Sequence, residues 1–257
     1  MSPAIELNGV RCAGEGAAEP LALSLSVAEG TFTVLLGPSR CGAATVLRLC
    51  AGLLVPEEGT VRVLGRDPAE SEEDASLQSR LRVGVILQPP GLLSNMTVFN
   101  NVALPLRYHA DPAEDEVESA VMGLLTALGL ASLRDRFPAA LTFGEAKVVA
   151  LARAMVMEPE VLLLEEPDAG LDGESLARCQ AVIKETRAGR QVTVLATLSH
   201  PSPLLAMADR VVYMRNGRVA AEGPRTELQK SGAEAILVYL GAEAARLSST
   251  VPEKRSR

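Results

Sequence analysis

An α/β fold built on a largely parallel sheet is what this sequence predicts, and three observations predict it. Strand-like and helix-like segments alternate in both outer thirds of the chain, the pattern of parallel strands joined by covering helices. A nearly unbroken apolar run, Phe32-Thr33-Val34-Leu35-Leu36, stops at Gly37-Pro38 and gives way to a helical stretch. The middle third reads as helix almost throughout. With 257 residues and 47% hydrophobic content, one large core can be buried without disulfides or metals.

Taken in order, residues 4–36 read as short strands. Leu21, Leu23, Leu25 and Val27 alternate with smaller or more polar residues, the period of two of a half-buried strand. Glu29-Gly30 turns the chain into the apolar run, a helix is expected at 44–51, and further strands at 60–64 and 82–87. Residues 98–157 are expected to be largely helical. Asp111-Pro112 with Glu114 offers an N-cap, a first-turn proline and an early acid, and Val117, Val121, Leu124, Leu125 and Leu128 then form one apolar stripe. The next helix is expected at 144–157, with Val148, Leu151 and Met155 inward. The last third alternates again: strand 161–164, helix 174–187, strand 192–198, a short helix 203–208, and a hairpin 211–220 around Asn216-Gly217. One domain over residues 1–245 is expected, with a loose tail at 246–257 that lacks an apolar pattern.

The formal net charge of −7 argues against a nucleic-acid binder, whose footprint is usually basic. Cys12, Cys41, Cys50 and Cys179 are scattered without paired ligand spacing and read as free thiols of a reducing compartment. No run of about 18 apolar residues exists to span a bilayer, and the opening MSPAIELNGV lacks the basic and apolar regions of a secretory signal. A cytoplasmic protein is expected, and any membrane work would need a separate embedded partner.

The loop after the apolar run carries the first chemical signal. A phosphate-binding P-loop has the pattern Gly-x-x-x-x-Gly-Lys-Ser/Thr: the glycines let backbone N–H groups close around phosphates, the lysine reaches the terminal phosphates, and the hydroxyl binds magnesium. Here the segment is Gly37-Pro38-Ser39-Arg40-Cys41-Gly42-Ala43-Ala44-Thr45. The frame is present, while the charge at position 43 and the hydroxyl at position 44 are missing.

Four further segments follow in order. Gln88 ends the strand Val83-Gly84-Val85-Ile86-Leu87; Leu141-Thr142-Phe143-Gly144-Glu145 precedes Ala150-Leu151-Ala152-Arg153-Ala154; Leu162-Leu163-Leu164-Glu165-Glu166-Pro167 leads into Ala169-Gly170-Leu171-Asp172; and His200 closes Leu198-Ser199-His200. Across nearly its whole length the chain resembles an ATP-binding-cassette (ABC) transporter ATPase. That resemblance implies a P-loop NTPase-like cassette with a mostly parallel core sheet, an N-terminal antiparallel β subdomain, and a helical signature subdomain at about 90–157. It also implies roles. Gln88 and Glu165 are the Q-loop and Walker B candidates for magnesium, Glu166 is the water-polarising base, and His200 is the γ-phosphate sensor. Leu141 to Glu145 stand for the signature Leu-Ser-Gly-Gly-Gln, and Asp172 for the D-loop aspartate. Within the family, the segment from Pro90 to His109 looks like that of the Mla/Mce phospholipid-transport ATPases, where it docks a short helix of the membrane subunit. Leu92, Leu93, Met96 and Phe99 could line an apolar groove for such a helix.

The departures then shape the expected mechanism. Family cassettes pair head to tail, each nucleotide lying between one P-loop and the partner's signature, and phosphoryl transfer rests on positioning and charge neutralisation. Ala43 deletes a charge-assisted hydrogen bond worth roughly 1.5–3 kcal/mol. Ala44 deletes a magnesium ligand, and Glu165 is one methylene longer than the usual aspartate, which magnesium geometry tolerates poorly. Thr45 and the helix N-terminus behind it leave a weak anion site. Arg40 either points into solvent or supplies the missing charge. Phe143 replaces a signature glycine and obstructs the approach to a partner's phosphate, and no clear aromatic stands near residues 11–13 to stack an adenine. ATP and magnesium are therefore expected to bind weakly or not at all. The chain is expected to be a pseudo-ATPase of a transporter, peripheral on the cytoplasmic face of the inner membrane. Its implied partners are a membrane permease, a second cassette in a homo- or heterodimer, and a Mce-domain lipid-binding protein. The alternatives are an active transport ATPase in which Arg40 and Thr45 compensate, a soluble cassette adaptor not tied to transport, and a cassette of DNA repair or translation, which the acidic balance disfavours.

Overall fold

The structure is a computed structural model describing residues 3–13, 19–70, 81–109, 112–230, 236, 238 and 239. Its first sheet is a small antiparallel one. Strand β1 (Pro3–Cys12) lies between β2 (Leu21–Ala28) and β4 (Glu58–Val63), with Leu7 opposite Leu25 on one side and Val61 on the other. The alternation read from Leu21 to Val27 is the reason: those four leucine and valine side chains are buried while Ser24 and Ser26 face out.

The second sheet has six strands in the order β5, β6, β7, β3, β8, β9. Strands β5 (Val83–Ile86), β6 (Val161–Glu165), β7 (Thr193–Leu198), β3 (Phe32–Leu36) and β8 (Arg210–Arg215) run parallel, and β9 (Arg218–Gly223) returns antiparallel at the edge. Every residue of β3, β6 and β7 is buried, which is why these strands read as near-continuous apolar runs. Their side chains alternate between two cores. Phe32, Val34, Leu162, Leu164 and Val194 enter the core under the helical region. Leu35, Leu163, Leu195 and Val212 enter the one shared with the antiparallel sheet.

Helix α1 (Ala43–Cys50) follows β3 directly. The helical region holds α2 (Val98–His109), α3 (Glu114–Ala127) and α4 (Phe143–Met155), and α5 (Gly173–Arg190) and the short α6 (Arg225–Lys230) complete the described helices. The stripe on α3 is as expected, Val117, Val121, Leu125 and Leu128 being buried and Leu124 packed alongside.

Three local expectations need correction. Asp111 lies outside the described residues, and the N-cap position of α3 is Ala113, whose N–H donates to Glu116 Oε2 at 3.3 Å. Residues 98–157 are less helical than their composition suggests, since 129–142 form turns and two 3₁₀ pieces, Ala131–Leu133 and Pro138–Ala140. The segment Pro203–Met207 is 3₁₀. The tail at 246–257 also falls outside the described residues. All four cysteines are free and buried; burial pushes the Cys50 and Cys179 thiols up to about 12. Among the described residues no helix is long and apolar enough to cross a membrane.

Candidate functional site

The C-terminal ends of the parallel strands converge on one cavity of about 170 Å³. It is lined by the loop and helix start from Gly37 to Thr45, by Glu165 and Glu166 at the end of β6, and by Thr197, Leu198 and Ser199 at the end of β7. This is the location a parallel sheet dictates for a ligand, outside the carboxyl ends of its strands.

The loop is held by main-chain bonds: Gly37 N–H to Leu198 O, Cys41 N–H to Pro38 O, and the hairpin's Gly217 N–H to Cys41 O. Gly37 has to be glycine because a Cβ there would sit 2.3 Å from Met214 O. Gly42, the N-cap of α1, adopts φ 103° and has no side chain to cap the helix. The first N–H groups of α1 are therefore left without side-chain caps at the cavity, where an anion can take them up. Ala43 is buried and Ala44 half-buried, and Thr45 is buried. Pro38, Ser39 and Arg40 are exposed, with Arg40 in the left-handed region at φ 68°.

Glu165 and Glu166 point to different neighbours. The Glu165 carboxylate is buried, accepts the Gln88 N–H at 3.1 Å and pairs with Arg48 of α1 at 3.6 Å. Gln88 thus meets Glu165 through its backbone, and its residue is exposed. Glu166 sits at φ 46°, its N–H donating to Thr197 Oγ1; a non-glycine residue held there stores strain of about 1–3 kcal/mol, as functional loops often do. His200 lies between two carboxylates, with Nδ1 3.5 Å from Glu166 Oε2 and Nε2 3.1 Å from Asp168 Oδ2.

Leu141 to Glu145 do not line the cavity. Thr142 is the N-cap of α4, accepting from Glu145 N–H, while its own N–H donates to Glu145 Oε2, a complete capping box. Leu141 packs on the core, Gly144 is buried against Gly170, and Phe143 is 47% exposed over the Gly170 backbone. Asp172 caps α5, accepting Ser175 N–H at 2.7 Å, and that hydrogen bond holds its carboxyl below the usual range. The groove expectation also needs correction. Phe99 is a buried core residue under Arg134 and Arg107, and Leu92 packs against the same core. Of the four residues named for the groove only Leu93 is exposed. The apolar hollow nearby is lined instead by Leu53, Leu87, Pro89 and Pro90.

Four site residues had not been singled out. Lys147 is 2% exposed and donates to the backbone carbonyls of Glu165, at 3.0 Å, and of Glu166. Its ammonium also lies 5.7 Å from the centre of the Phe143 ring. Burial lowers its pKa, against the opposing pull of Glu166, Asp168 and Glu165. Asp168, Thr197 and Arg48 are the others. Asp168, an acid two positions beyond Glu166, was a readable signal; a lysine buried in the first turns of an otherwise apolar helix was not.

A Gly-bearing loop between a buried strand and a helix, with two carboxylates at the end of the parallel strand next but one, defines a P-loop cassette of mostly parallel α/β architecture. The family profile described as "ABC transporter" matches residues 21–169, and the chain belongs to that family. Methionine import ATP-binding protein MetN of Rhodopseudomonas palustris (strain BisA53) is 36% identical over 225 residues, 85% of this chain and 60% of that protein. Fe(3+) ions import ATP-binding protein FbpC 1 of Rhizobium meliloti (strain 1021) is 36% identical over 226 residues, 86% of this chain and 61% of that protein. The chain thus spans about 60% of the length of these curated relatives. Among solved structures, the dimeric post-hydrolysis state of the ATP-binding cassette MJ0796 bound to ADP and Pi has a TM-score of 0.77 at 24% identity, covering 86% of this chain and 98% of that one. The cbiO1 structure from Clostridium perfringens, part of the cbiONQ transporter complex, has a TM-score of 0.76 at 23% identity, covering 97% and 98%. These two share the fold.

Proposed function

We propose that the chain is the nucleotide-binding cassette of a membrane transporter, working with a permease and a second cassette, and that its ATP hydrolysis is impaired. The observation that carries the second half is the first turn of α1, where Ala43 and Ala44 offer neither a cation nor a hydroxyl and the backbone N–H groups are left to hold a phosphate with Thr45 in the lining. An anion fits that cradle. Magnesium does not. Position 44 has no hydroxyl, and the Glu165 carboxylate is already engaged by Arg48 and by the Gln88 N–H. Glu166 and His200 lie 3.5 Å apart, and their roles as water-polarising base and γ-phosphate sensor, with those of the signature and Asp172, are carried over from the family resemblance. A peripheral position on the cytoplasmic face of the inner membrane belongs to the same reading.

For the cargo, the segment 90–109 supports a phospholipid system of Mla/Mce type with its Mce-domain partner. The named relatives, import proteins for methionine and Fe(3+), favour a small-solute importer. Reconstitution of the co-purified complex in liposomes, followed by phospholipid exchange and by methionine or iron uptake, separates the two.

The test of impairment is nucleotide affinity and turnover in the purified chain. Ala43→Lys with Ala44→Ser should raise ATP affinity by about tenfold or more, the equivalent of the recovered charge-assisted bond. Wild-type hydrolysis at about 1–100 turnovers per second, a common enzymatic range, abolished by Glu166→Gln, would overturn the reading.

A further inference from the structure

Beside the phosphate cradle lies a second constellation that nucleotide chemistry does not use fully. One ligand-type atom each from Glu166, Asp168 and His200 lie within 4.8 Å of one another. The Asp168 side chain is 4% exposed; Oδ2 faces His200, while Oδ1 is buried and has no hydrogen-bond partner. A buried carboxylate oxygen with no protein partner is costly, and a cation beside it satisfies it.

We propose that Glu166, Asp168 and His200 form a binding site for a divalent transition cation of zinc type, beside the phosphate loop and sharing Glu166 with its cavity. The donor set selects the metal class: an imidazole nitrogen with two carboxylates suits zinc, nickel or cobalt far better than magnesium, which prefers an all-oxygen octahedron. Tetrahedral ligands at about 2.0–2.2 Å from zinc stand roughly 3.3–3.5 Å apart; in the structure Glu166 lies 3.5 Å from Nδ1 and Asp168 3.1 Å from Nε2, on opposite edges of the ring. The two contacts use opposite ring nitrogens, so binding requires the ring to turn and present one nitrogen to both carboxylates. His200 is 45% exposed and has room to do so. Lys147 does not fill the site with its own bond, because its ammonium donates to the main-chain carbonyls of Glu165 and Glu166. Metal there ties up Glu166 and His200 together, so it blocks any hydrolysis this chain carries out. The proposal does not depend on whether a triphosphate binds.

The experiment is calorimetric titration of Zn2+ into the chelator-stripped full chain with magnesium in excess, together with Co2+ absorption spectra. One zinc per chain is expected, with an affinity lowered by about tenfold or more in both Asp168→Asn and His200→Gln, and Co2+ ligand-field bands without thiolate charge transfer. Should Asp168→Asn fail to fold, the half-exposed His200→Gln carries the test. Absence of uptake, uptake unchanged by the substitutions, or a thiolate signature from the four cysteines would each overturn the site.

Discussion

Asn101 holds more of the molecule than its place in the sequence suggests. Fully buried on α2, its side chain accepts the Leu93 N–H and donates to the carbonyls of Leu93, Met96 and Thr97, pinning the loop that enters the helical region. Asn101→Ala should destabilise the protein by about 2–3 kcal/mol, because buried backbone groups lose their partners. Urea denaturation should show a lower midpoint at unchanged slope. Nothing in the sequence marks this asparagine, since its partners are irregular backbone and follow no period. The phosphate loop is the opposite case. Nine contiguous residues carry its pattern, so both the frame and the losses at 43 and 44 were legible. Glu165, Glu166 and His200 could be named from their motifs, and Asp168 was readable two positions beyond Glu166, but the placing of Lys147 under them comes from tertiary packing.

At the scale of elements, α4 shows how the segment read as a signature serves as a helix cap. Thr142 and Glu145 satisfy each other's N–H groups, so Thr142→Ala should cost about 1 kcal/mol in thermal denaturation. Phe143, read as an obstruction to a facing subunit, also packs within its own chain. A Cβ on Gly170 would come within 2.6 Å of the ring, and Gly170 has φ 78°. Gly170→Ala should therefore destabilise by about 1–3 kcal/mol. Adding Phe143→Ala should recover the steric part, with a coupling of about 0.5 kcal/mol or more in a double-mutant cycle. The boundaries of α3 were the least legible, because the cap position falls on an alanine, and capping there comes from Glu116 reaching back.

For the whole molecule, two cores on opposite faces of one sheet were foreshadowed by the parity of β3, β6 and β7, whereas the strand order was not. Parallel pairing is set by crossovers through helices and leaves no local mark. The buried thiols give a global prediction. Cys50 and Cys179 titrate near 12 in the native state against an ordinary 9.0, so between those values the native protein binds more protons than the unfolded chain. Stability present below pH 9 is then lost as pH rises. The slope approaches about 2.7 kcal/mol per pH unit for two protons. Lys147, lowered from 10.5, acts in the opposite sense below that value. Denaturation midpoints from pH 8 to 11 should fall, and Cys50→Ala should make the fall shallower, the raised Cys12, Cys41 and Cys179 thiols keeping the rest.

The outline of the phosphate cradle is drawn by Gly37, Cys41 and Gly217 through peptide groups, with no help from the side chains at 43 and 44. The main-chain frame of the loop is thus set independently of the residue types at 43 and 44, and Lys and Ser can be placed there without redrawing its hydrogen bonds.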